Sequence, residues 1–206
     1  MTLAEKERET YEAAWAIPAY AKDSPGAIYL PLFLDMAKPD LQQWRDMTGS
    51  AYQLTVLDAG CGAGDGALAL QQAKFQQIVL CDITDSGLCP EAKEFPFYQV
   101  CLWDHLATQL GWMYGGKFDY VYCCDVMEHI PTPFTMLVVS RLLEVTRTAA
   151  FFTISLNTDQ FGAWVGKPLH QTLQSYAQWK EQLDTVGHVI ESRDMMHCGV
   201  YLVEPR

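Results

Sequence analysis

The sequence has few basic residues, and this shortage limits the partners that the chain can bind. Its 206 residues contain 14 Lys and Arg against 25 Asp and Glu, so the net charge is −11 at pH 7. Proteins that grip duplex nucleic acid neutralise its phosphates with Lys and Arg on one face. A nucleic-acid partner is therefore not expected, although an acidic average can still contain a local basic patch.

The chain also lacks the cysteine spacing of a zinc site and the apolar runs of a membrane protein. Its 7 cysteines include no C-x-x-C pair, and we interpret them as buried thiols in a reducing compartment. No run approaches the roughly 20 apolar residues of a membrane-spanning helix. The charged N-terminal segment is unlike a secretory signal. We expect a soluble, cytoplasmic protein with no membrane partner.

The most distinctive stretch that the chain does contain is glycine-rich, VLDAGCGAGDG at 56–66. An apolar run reaches Asp58, and Gly60, Gly62 and Gly64 follow at alternate positions before a predicted helix. Glycine adopts positive φ and lets a ligand approach the backbone closely. The helix that follows offers free N–H groups at its start. The stretch therefore predicts a loop that holds a ligand against the backbone.

From residue 53 onward, predicted strands alternate with predicted helices, which indicates a parallel sheet with helices on both faces. The helices are predicted at 67–74, 86–94, 105–112, 132–146 and 169–183. Two further strands, at 189–193 and 199–203, are too close together for a crossover and require antiparallel pairing. Residues 1–50 read as a helical cap on the substrate side, and 51–206 as the sheet domain. The parallel strands are predicted at Leu54–Asp58, Gln77–Asp82, Phe97–Leu102, Phe118–Cys124 and Ala149–Ser155.

Acidic residues fall at or just after successive strand ends, where open α/β sheets bind their ligands. Asp82 is placed to accept hydrogen bonds from the two hydroxyls of a ribose. Asp104 is placed to accept from an adenine amino group, or it simply caps the following helix. Asp58 and Asp125 occupy equivalent positions on two other strands.

The glycine stretch alone leaves two adenosine cofactors open. Gly62-x-Gly64-x-x-Ala67 also fits the G-x-G-x-x-G/A fingerprint of NAD-binding sheets. Asp58, however, precedes the glycines, where it would repel a pyrophosphate and attract an ammonium group. The antiparallel C-terminal pair is also foreign to the dinucleotide-binding sheet. These two features favour a cationic cofactor over NAD.

Three motifs together resemble class I S-adenosylmethionine-dependent methyltransferases: VLDAGCGAGDG, IVLCD and FDYVYCCDVMEHIP. The first matches the family's hydrophobic-hydrophobic-Asp-x-Gly-x-Gly-x-Gly pattern at every fixed position. The third is similar to the methyltransferases that act largely on small molecules. The resemblance covers residues 53–156 and implies a Rossmann-like, seven-stranded, mostly parallel sheet with an antiparallel C-terminal strand. A short stretch, GKPLH at 166–170, is similar to phage-encoded members.

The resemblance implies S-adenosyl-L-methionine as cofactor and assigns residues to it. Asp82 would bind the ribose, Trp103 and Asp104 the adenine, and Asp125 the methionine amino group. The glycines would shape the loop beneath the cofactor. The full set of implied cofactor-binding residues is Asp58, Gly60, Cys61, Gly62, Gly64, Asp82, Ile83, Trp103, Asp104 and Asp125.

Methyl transfer from a sulfonium is an in-line displacement, so the protein mainly aligns donor and acceptor. A protonated acceptor also needs a base, for which His129 and His170 are the candidates. Loop pinning explains His129 as well, and helix capping explains His170. Asp125, Asn157 and Asp159 have the oxygen ligands that Mg²⁺ prefers, but ordinary loop solvation accounts for the last two, and we predict no metal site.

Acceptor choice is expected to depend on aromatic residues outside the shared motifs. Those in the N-terminal segment and in the 157–168 loop either enclose an acceptor or pack the cap onto the core. We predict a methyltransferase for a small-molecule or nucleotide acceptor. The alternatives are a methyltransferase for nucleic acid or protein, an NAD-dependent oxidoreductase, and a non-catalytic S-adenosylmethionine-binding protein. The aromatic residues predicted to enclose an acceptor or to pack the cap are Tyr11, Trp15, Tyr20, Tyr29, Phe161 and Trp164.

Overall fold

A seven-stranded sheet organises the computed structural model, which describes residues 1–22, 24–48, 53–104 and 116–206. The strand order is β3-β2-β1-β4-β5-β7-β6. Strands β1 to β5 pair in parallel, and β7 pairs antiparallel with both β5 and β6. The predicted fold class is therefore confirmed. The strands are β1 Thr55–Ala59, β2 Gln77–Asp82, β3 Phe97–Gln99, β4 Phe118–Cys124, β5 Thr146–Ser155, β6 Gly187–Asp194 and β7 Cys198–Pro205.

Helices precede the sheet and cover its two faces. The first begins with a capping box, because Thr2 accepts from the Glu5 amide while the Glu5 side chain accepts from the Thr2 amide. Pro18 begins the second helix, as its fixed φ allows at a first helical position. The α-helices of the described residues are α1 Leu3–Trp15, α2 Pro18–Ala21, α3 Leu30–Met36, α4 Lys38–Thr48, α5 Asp65–Gln72, α6 Thr135–Glu144, α7 Gly162–Val165 and α8 Tyr176–Val186.

The strands alternate their side chains between two apolar layers, as the period of two requires. In β1, Leu57 packs in the layer beneath α6 and α8, which contribute Leu142 and Trp179. On the other face, Val56 shares a layer with Phe33 of α3 and with α5. The N-terminal segment therefore supplies part of the core through α3. The domain boundary predicted at 50/51 falls among residues outside the described ranges and stays a prediction.

Two predicted helices differ from the structure, and a third cannot be compared. The helix expected over 86–94 is reduced to a 3₁₀ turn at Ala92–Glu94. The helix expected from Leu169 begins only at Tyr176, because the Gln171 and Thr172 amides donate to the Glu128 carbonyl and hold that segment extended. The helix predicted at 105–112 lies outside the described residues. None of the helices in the described ranges has the length and apolar content needed to span a bilayer.

Candidate active site

A cavity of about 430 Å³ opens at the carboxyl ends of β1, β2 and β4. This edge is where parallel α/β sheets bind ligands. The volume lies at the small end of the 300–1,000 Å³ typical of ligand pockets. The structure brings most of the predicted site residues together there. Those that line the cavity are Asp58, Gly60, Cys61, Gly62, Asp82, Ile83, Trp103, Asp125, His129 and His170.

The glycine loop is tied to the end of β2. The Gly60 and Cys61 amides donate to the Cys81 carbonyl at 2.8 and 3.1 Å, and the Gly62 amide donates to Asp82 at 2.9 Å. At Gly60 the backbone φ is +72°, and a Cβ there would lie 2.4 Å from Val126. The loop needs glycine at this position, both for its positive φ and because Val126, which follows β4, approaches it closely.

Asp58 lies beneath this loop with an unused hydrogen-bonding atom. The residue is 4% exposed, and its Oδ2 atom has no hydrogen-bond partner among the described residues. Burial raises the pKa of Asp58 to about 7, against the opposing effect of a hydrogen bond from the Ala67 amide. A buried acceptor without a partner is costly, and a cationic ligand in the cavity would offset that cost.

Asp82 organises the neighbouring wall through backbone amides. One carboxylate oxygen accepts from Gly62, and the other accepts from Ile83 at 2.6 Å and Thr84 at 3.4 Å. Burial raises the pKa of Asp82, and these amide donors counteract the rise. Each carboxylate oxygen has two lone pairs, so the oxygen that accepts only from Gly62 retains acceptor capacity for a hydroxyl of a ligand.

Asp125 closes the third wall in an unusual backbone conformation. Its φ is +52°, a region that non-glycine residues seldom occupy. The Asp125 amide donates to the Thr153 carbonyl at 2.9 Å, and the Thr153 hydroxyl donates to the Asp125 carboxylate at 3.0 Å. These bonds to β5 hold the residue in place. Strained residues held by their surroundings are a feature of functional sites.

Two predicted cofactor residues do not line the cavity. Gly64 caps α5 with a φ of +85°, and a Cβ there would meet Ala92 at 2.3 Å. Gly64 therefore shapes the loop from the side that faces Ala92, outside the cavity lining. Asp104 is exposed, and its carbonyl accepts a hydrogen bond from Arg141. Trp103, which stacks on Phe134 with ring centroids 5.9 Å apart, supplies the cavity surface at this end instead.

Helix α1 lies across the mouth of the cavity. Glu7, 4% exposed, receives the Lys167 ammonium with 2.7 Å from Nζ to each carboxylate oxygen. The Arg8 guanidinium donates to the Ile83 carbonyl at 3.2 Å, beside Asp82. The ring of Trp15 covers Gly62, where an added Cβ would approach it to 3.0 Å. The N-terminal segment therefore forms part of the cavity wall.

Aromatic rings join this helix to the loop after β5. Trp15 contacts Tyr20 with ring centroids 4.9 Å apart, Tyr20 contacts Phe161 at 5.5 Å, and Phe161 contacts Trp164 at 5.8 Å. Trp15, Tyr20 and Phe161 also line the cavity. The two roles predicted for these aromatics, enclosing a ligand and packing the cap, are therefore compatible for Trp15, Tyr20 and Phe161.

His129 and His170 meet at one end of the cavity, with ring centroids 4.7 Å apart. Burial and the neighbouring His170 lower the pKa of His129 to about 3. His129 Nδ1 lies 3.2 Å from the Leu169 carbonyl and 2.9 Å from the Tyr11 hydroxyl. His170 Nδ1 lies 2.5 Å from the Asn157 carbonyl. The loop-pinning role considered for His129 is thus present in the structure, alongside its place in the cavity wall.

The loop carboxylate Asp159 has a structural task. It accepts from the amides of Gly162, Leu169 and His170, the second at 2.8 Å and the third at 3.3 Å. Burial opposes ionisation, but these donors outweigh it and hold the pKa of Asp159 below its usual value. Both oxygens serve the backbone, so the oxygen-only magnesium set that we considered gains no support.

Two residues of the site had no role in the sequence interpretation, namely Glu7 and Glu128. Glu128 is completely buried, its Oε1 accepts from the Ser155 amide at 2.9 Å, and its Oε2 has no partner among the described residues. Its presence in the motif DVMEHIP was visible, but the burial was not. Glu7 lies in a charged helical segment, and the sequence pattern does not distinguish it from the other glutamates there.

Comparison with known proteins shows what the part of the chain that builds the cavity is similar to. A family model described as a methyltransferase domain matches residues 57–145. The match contains the end of β1, the glycine loop, Asp82 and Asp125, so it covers the part of the chain that builds the cavity floor. The resemblance to class I S-adenosylmethionine-dependent methyltransferases that the motifs predict is confirmed over these residues.

Individual relatives agree with this assignment. The ubiquinone biosynthesis O-methyltransferase of Histophilus somni is 28% identical over 134 residues, 60% of this chain and 53% of that protein. Magnesium protoporphyrin IX methyltransferase from Synechocystis PCC 6803, crystallised with bound SAM, superposes with a TM-score of 0.53 at 19% identity, covering 82% of this chain and 78% of that one. An O-methyltransferase family protein from Burkholderia thailandensis gives 0.59 at 14% identity, covering 93% and 61%.

The relatives limit what can be transferred from them. This chain spans about half the length of the curated relatives that it matches. The superposed structures share the fold at low sequence identity. The Synechocystis structure shows that this fold binds S-adenosylmethionine in another protein. The reaction and the acceptor of this chain have to be argued from its own residues.

Proposed function

We propose that this chain transfers a methyl group from S-adenosylmethionine to an oxygen of a small-molecule acceptor. The observation that carries the proposal is the floor of the cavity, where the glycine loop lies over the unpartnered Oδ2 of Asp58. The cofactor presents an ammonium group, a sulfonium and a ribose diol. A floor with three carboxylates and a glycine backbone suits that combination of charge and hydroxyls.

The geometry supports a specific distribution of the cofactor along the cavity. Asp82 and Ile83 would hold the ribose, and the ring of Trp103 with Leu102 would take the adenine. Asp58 and Asp125 would face the methionine end, where their charge attracts the ammonium and sulfonium groups. Because Asp104 lies outside the cavity lining, Trp103 is the stronger candidate for the adenine contact.

A cavity walled by three separate segments of the chain favours a small acceptor. Helix α1, the loop at 24–26 and the segment at 157–161 all contribute to its walls. The Tyr122 hydroxyl donates to the Gly26 carbonyl at 2.5 Å and fixes that loop in place. Both similar curated proteins are named as O-methyltransferases of ubiquinone biosynthesis, which supports oxygen as the methylated atom. The acidic chain gives a polynucleotide little to bind.

The reaction would proceed by in-line displacement at the sulfonium, with alignment of the acceptor as the main contribution of the protein. The sulfonium leaving group already activates the methyl carbon for attack. An acceptor hydroxyl must also lose its proton. Of the two predicted bases at this end of the cavity, His170 is the better candidate, because a pKa of about 3 makes His129 a weak base. The aromatic wall formed by Trp15, Tyr20 and Phe161 would hold an apolar or flat acceptor body.

Calorimetry with S-adenosylhomocysteine and NAD, side by side, tests the cofactor. We expect binding of the first only, and Asp82→Ala should weaken it about 10- to 100-fold because hydrogen bonds to a charged group are lost. Asp85→Ala, an exposed neighbour outside the cavity, serves as the matched control. Binding of NAD in place of S-adenosylhomocysteine would overturn the proposal.

Turnover separates an enzyme from a protein that only binds the cofactor. A panel of phenols, carboxylic acids, amines and nucleotides is offered together with methyl-labelled donor. Transfer to an oxygen acceptor is expected. Tight cofactor binding with no transfer to any member of a broad panel would favour the non-catalytic alternative, and transfer to nucleic acid or protein would redirect the acceptor class.

A further inference from the structure

Three side chains at the histidine end of the cavity together form a compact set of metal-ligand groups. One ligand atom each from Glu128, His129 and His170 lie within 4.8 Å of one another. Glu128 and His129 come from the 3₁₀ turn after β4, and His170 comes from the distant segment before α8. The set therefore depends on the fold and not on local sequence alone.

The hydrogen bonds of the two imidazoles leave the same nitrogen free on each ring. His129 Nδ1 has a geometry suited to donating to the Leu169 carbonyl, and His170 Nδ1 faces the Asn157 carbonyl. A carbonyl oxygen only accepts, so the tautomer that satisfies both carbonyls has the proton on each Nδ1 and a lone pair on each Nε2. The Tyr11 hydroxyl, 2.9 Å from His129 Nδ1, then also accepts from that nitrogen. Histidine metal ligands characteristically donate their other N–H to a backbone carbonyl or carboxylate in this way.

The carboxylate supplies the independent sign that something is bound. Glu128 is 0% exposed, its Oε1 accepts from Ser155, and its Oε2 has no partner among the described residues. An unpartnered buried carboxylate oxygen is costly unless a cation or donor occupies the space beside it. Among the described residues that line the cavity there is neither Lys nor Arg to act as that cation.

We propose that Glu128, His129 and His170 bind a divalent first-row transition-metal ion at the acceptor end of the cavity. Two imidazoles and one carboxylate suit Zn²⁺, Fe²⁺ or Mn²⁺ better than Mg²⁺, which prefers oxygen ligands. Ligands about 2.0–2.2 Å from a tetrahedral ion lie roughly 3.4 Å apart, so groups within 4.8 Å of one another need to close by at most about 1.4 Å around it.

The ion would have an open side toward the cavity, since His129 and His170 both line it. Three protein ligands with a free position are typical of catalytic rather than structural metal sites. An acceptor hydroxyl bound there would release its proton to solvent water more readily, so no side-chain base would be required. This last role rests on the proposed function, whereas the metal site itself does not.

Calorimetry on chelator-treated, full-length protein tests the site with Zn²⁺, Mn²⁺ and Mg²⁺ as separate probes. We expect one equivalent of Zn²⁺ or Mn²⁺ to bind more tightly than Mg²⁺. His170→Ala should weaken binding by at least the 10–100-fold that loss of an outer-shell partner costs, and Glu128→Gln should do the same. His188→Ala, a surface histidine near Glu204, is the matched control and should leave the affinity unchanged.

A spectroscopic measurement identifies the ligands directly. Co²⁺ loaded into the same protein should show visible absorption bands that His170→Ala alters and His188→Ala does not. His170 is partly exposed, so its variant keeps the test valid where the buried Glu128→Gln fails to fold. Failure of all transition ions to bind, preference for Mg²⁺, or equal loss in the His188 control would overturn the proposal.

S-Adenosylhomocysteine binding is measured on the same samples, and it keeps the two proposals apart. Metal binding without S-adenosylhomocysteine binding would support the metal site and contradict the methyltransferase function. The reverse result would contradict the metal site and leave the methyltransferase function standing. Binding of both, with the metal lost and the S-adenosylhomocysteine affinity retained in His170→Ala, is the result that we expect.

Discussion

Both carboxylate oxygens of Glu7 lie 2.7 Å from the Nζ atom of Lys167, although the two residues are 160 positions apart in the chain. The Glu7 side chain is 5% exposed and that of Lys167 is 35% exposed. Gln171 also donates to Glu7, at 3.1 Å, and to the His129 carbonyl, at 3.2 Å. This ion pair therefore connects α1, the post-β5 loop and the histidine end of the cavity.

Lys167→Met should loosen α1 because it leaves the Glu7 carboxylate buried without its cation. We expect a loss of about 1–3 kcal/mol in the free energy of unfolding, below the 3–5 typical of fully buried pairs, since Lys167 is partly exposed. Hydrogen exchange across Leu3–Trp15 should accelerate, and S-adenosylhomocysteine should dissociate several times faster. Stopped-flow measurement of that dissociation rate is the decisive reading.

The double variant Glu7→Gln, Lys167→Met should recover part of the loss, because no charge then remains buried. Lys180→Met breaks an exposed ion pair within α8 and should cost less than 1 kcal/mol. An unchanged dissociation rate in Lys167→Met would show that α1 does not restrain the ligand.

Asp58 should make the stability of the ligand-free protein fall as pH rises. Its pKa is about 7 when folded and roughly 4 when unfolded, so between these values the folded state holds a proton that the unfolded chain releases. The stabilising contribution is complete below about pH 4 and is lost by about pH 7. Asp58→Asn should be more stable than the wild type at pH 8, by up to about 4 kcal/mol, and indistinguishable from it near pH 4. Urea unfolding at several pH values measures the difference, and Asp85→Asn should show none.

The same carboxylate should make ligand affinity respond to pH in the opposite direction. Protonation of Asp58 below its pKa removes a negative charge that would attract the ammonium group of the ligand. S-Adenosylhomocysteine should bind up to about tenfold more weakly at pH 6 than at pH 8. Asp58→Asn should bind weakly at both values, with little slope between them. Calorimetry in matched buffers tests this, and an equal slope in wild type and variant would remove Asp58 from the explanation.

The sequence predicts the sheet better than the segments that cross the site. Strands Gln77–Asp82 and Phe118–Cys124 match their predicted bounds because each contains a central apolar run, at 78–81 and 120–124, as strands buried on both faces do. The extended segment before Tyr176 was wrongly predicted as helix. Its amides at Gln171 and Thr172 bind the Glu128 carbonyl, a partner 43 or more positions earlier that no local pattern reveals.

The site shows the same division between local and distant causes. Asp58 and Asp82 were predicted because they end strands next to a glycine loop, and the structure places both in the cavity wall. Glu7 and Glu128 were missed because their importance comes from burial against residues far along the chain. Sequence patterns reveal the local motifs of a site, whereas tertiary packing brings together the groups that enclose the site and set its charge.

Gly60→Ala should remove cofactor binding through the shape of the loop. An added Cβ would lie 2.4 Å from Val126, and the φ of +72° disfavours any residue with a side chain. We expect a cost of about 2–4 kcal/mol in unfolding free energy and no measurable S-adenosylhomocysteine binding. Gly166→Ala is the matched control, because its φ is +80° but nothing lies within 4 Å of the added atom. It should cost about 1–2 kcal/mol and leave binding intact. Equal binding in the two variants would contradict the proposed role of the loop.

Phe33→Ala tests whether the N-terminal segment is part of the folding core or a separable cover. Phe33 is 0% exposed, and its ring centroid lies 5.3–6.1 Å from those of Phe75, Tyr120, Tyr122 and Phe151. Removing it would open a cavity between α3 and strands β4 and β5, so we expect a loss of about 3–5 kcal/mol in the free energy of unfolding. Ile28→Ala, in the same segment but 73% exposed, should change stability by less than about 0.5 kcal/mol. Chemical denaturation followed by far-UV circular dichroism distinguishes the two. A loss below about 1 kcal/mol in Phe33→Ala, within the range of ordinary surface substitutions, would mean that α3 rests on a sheet already stable without it.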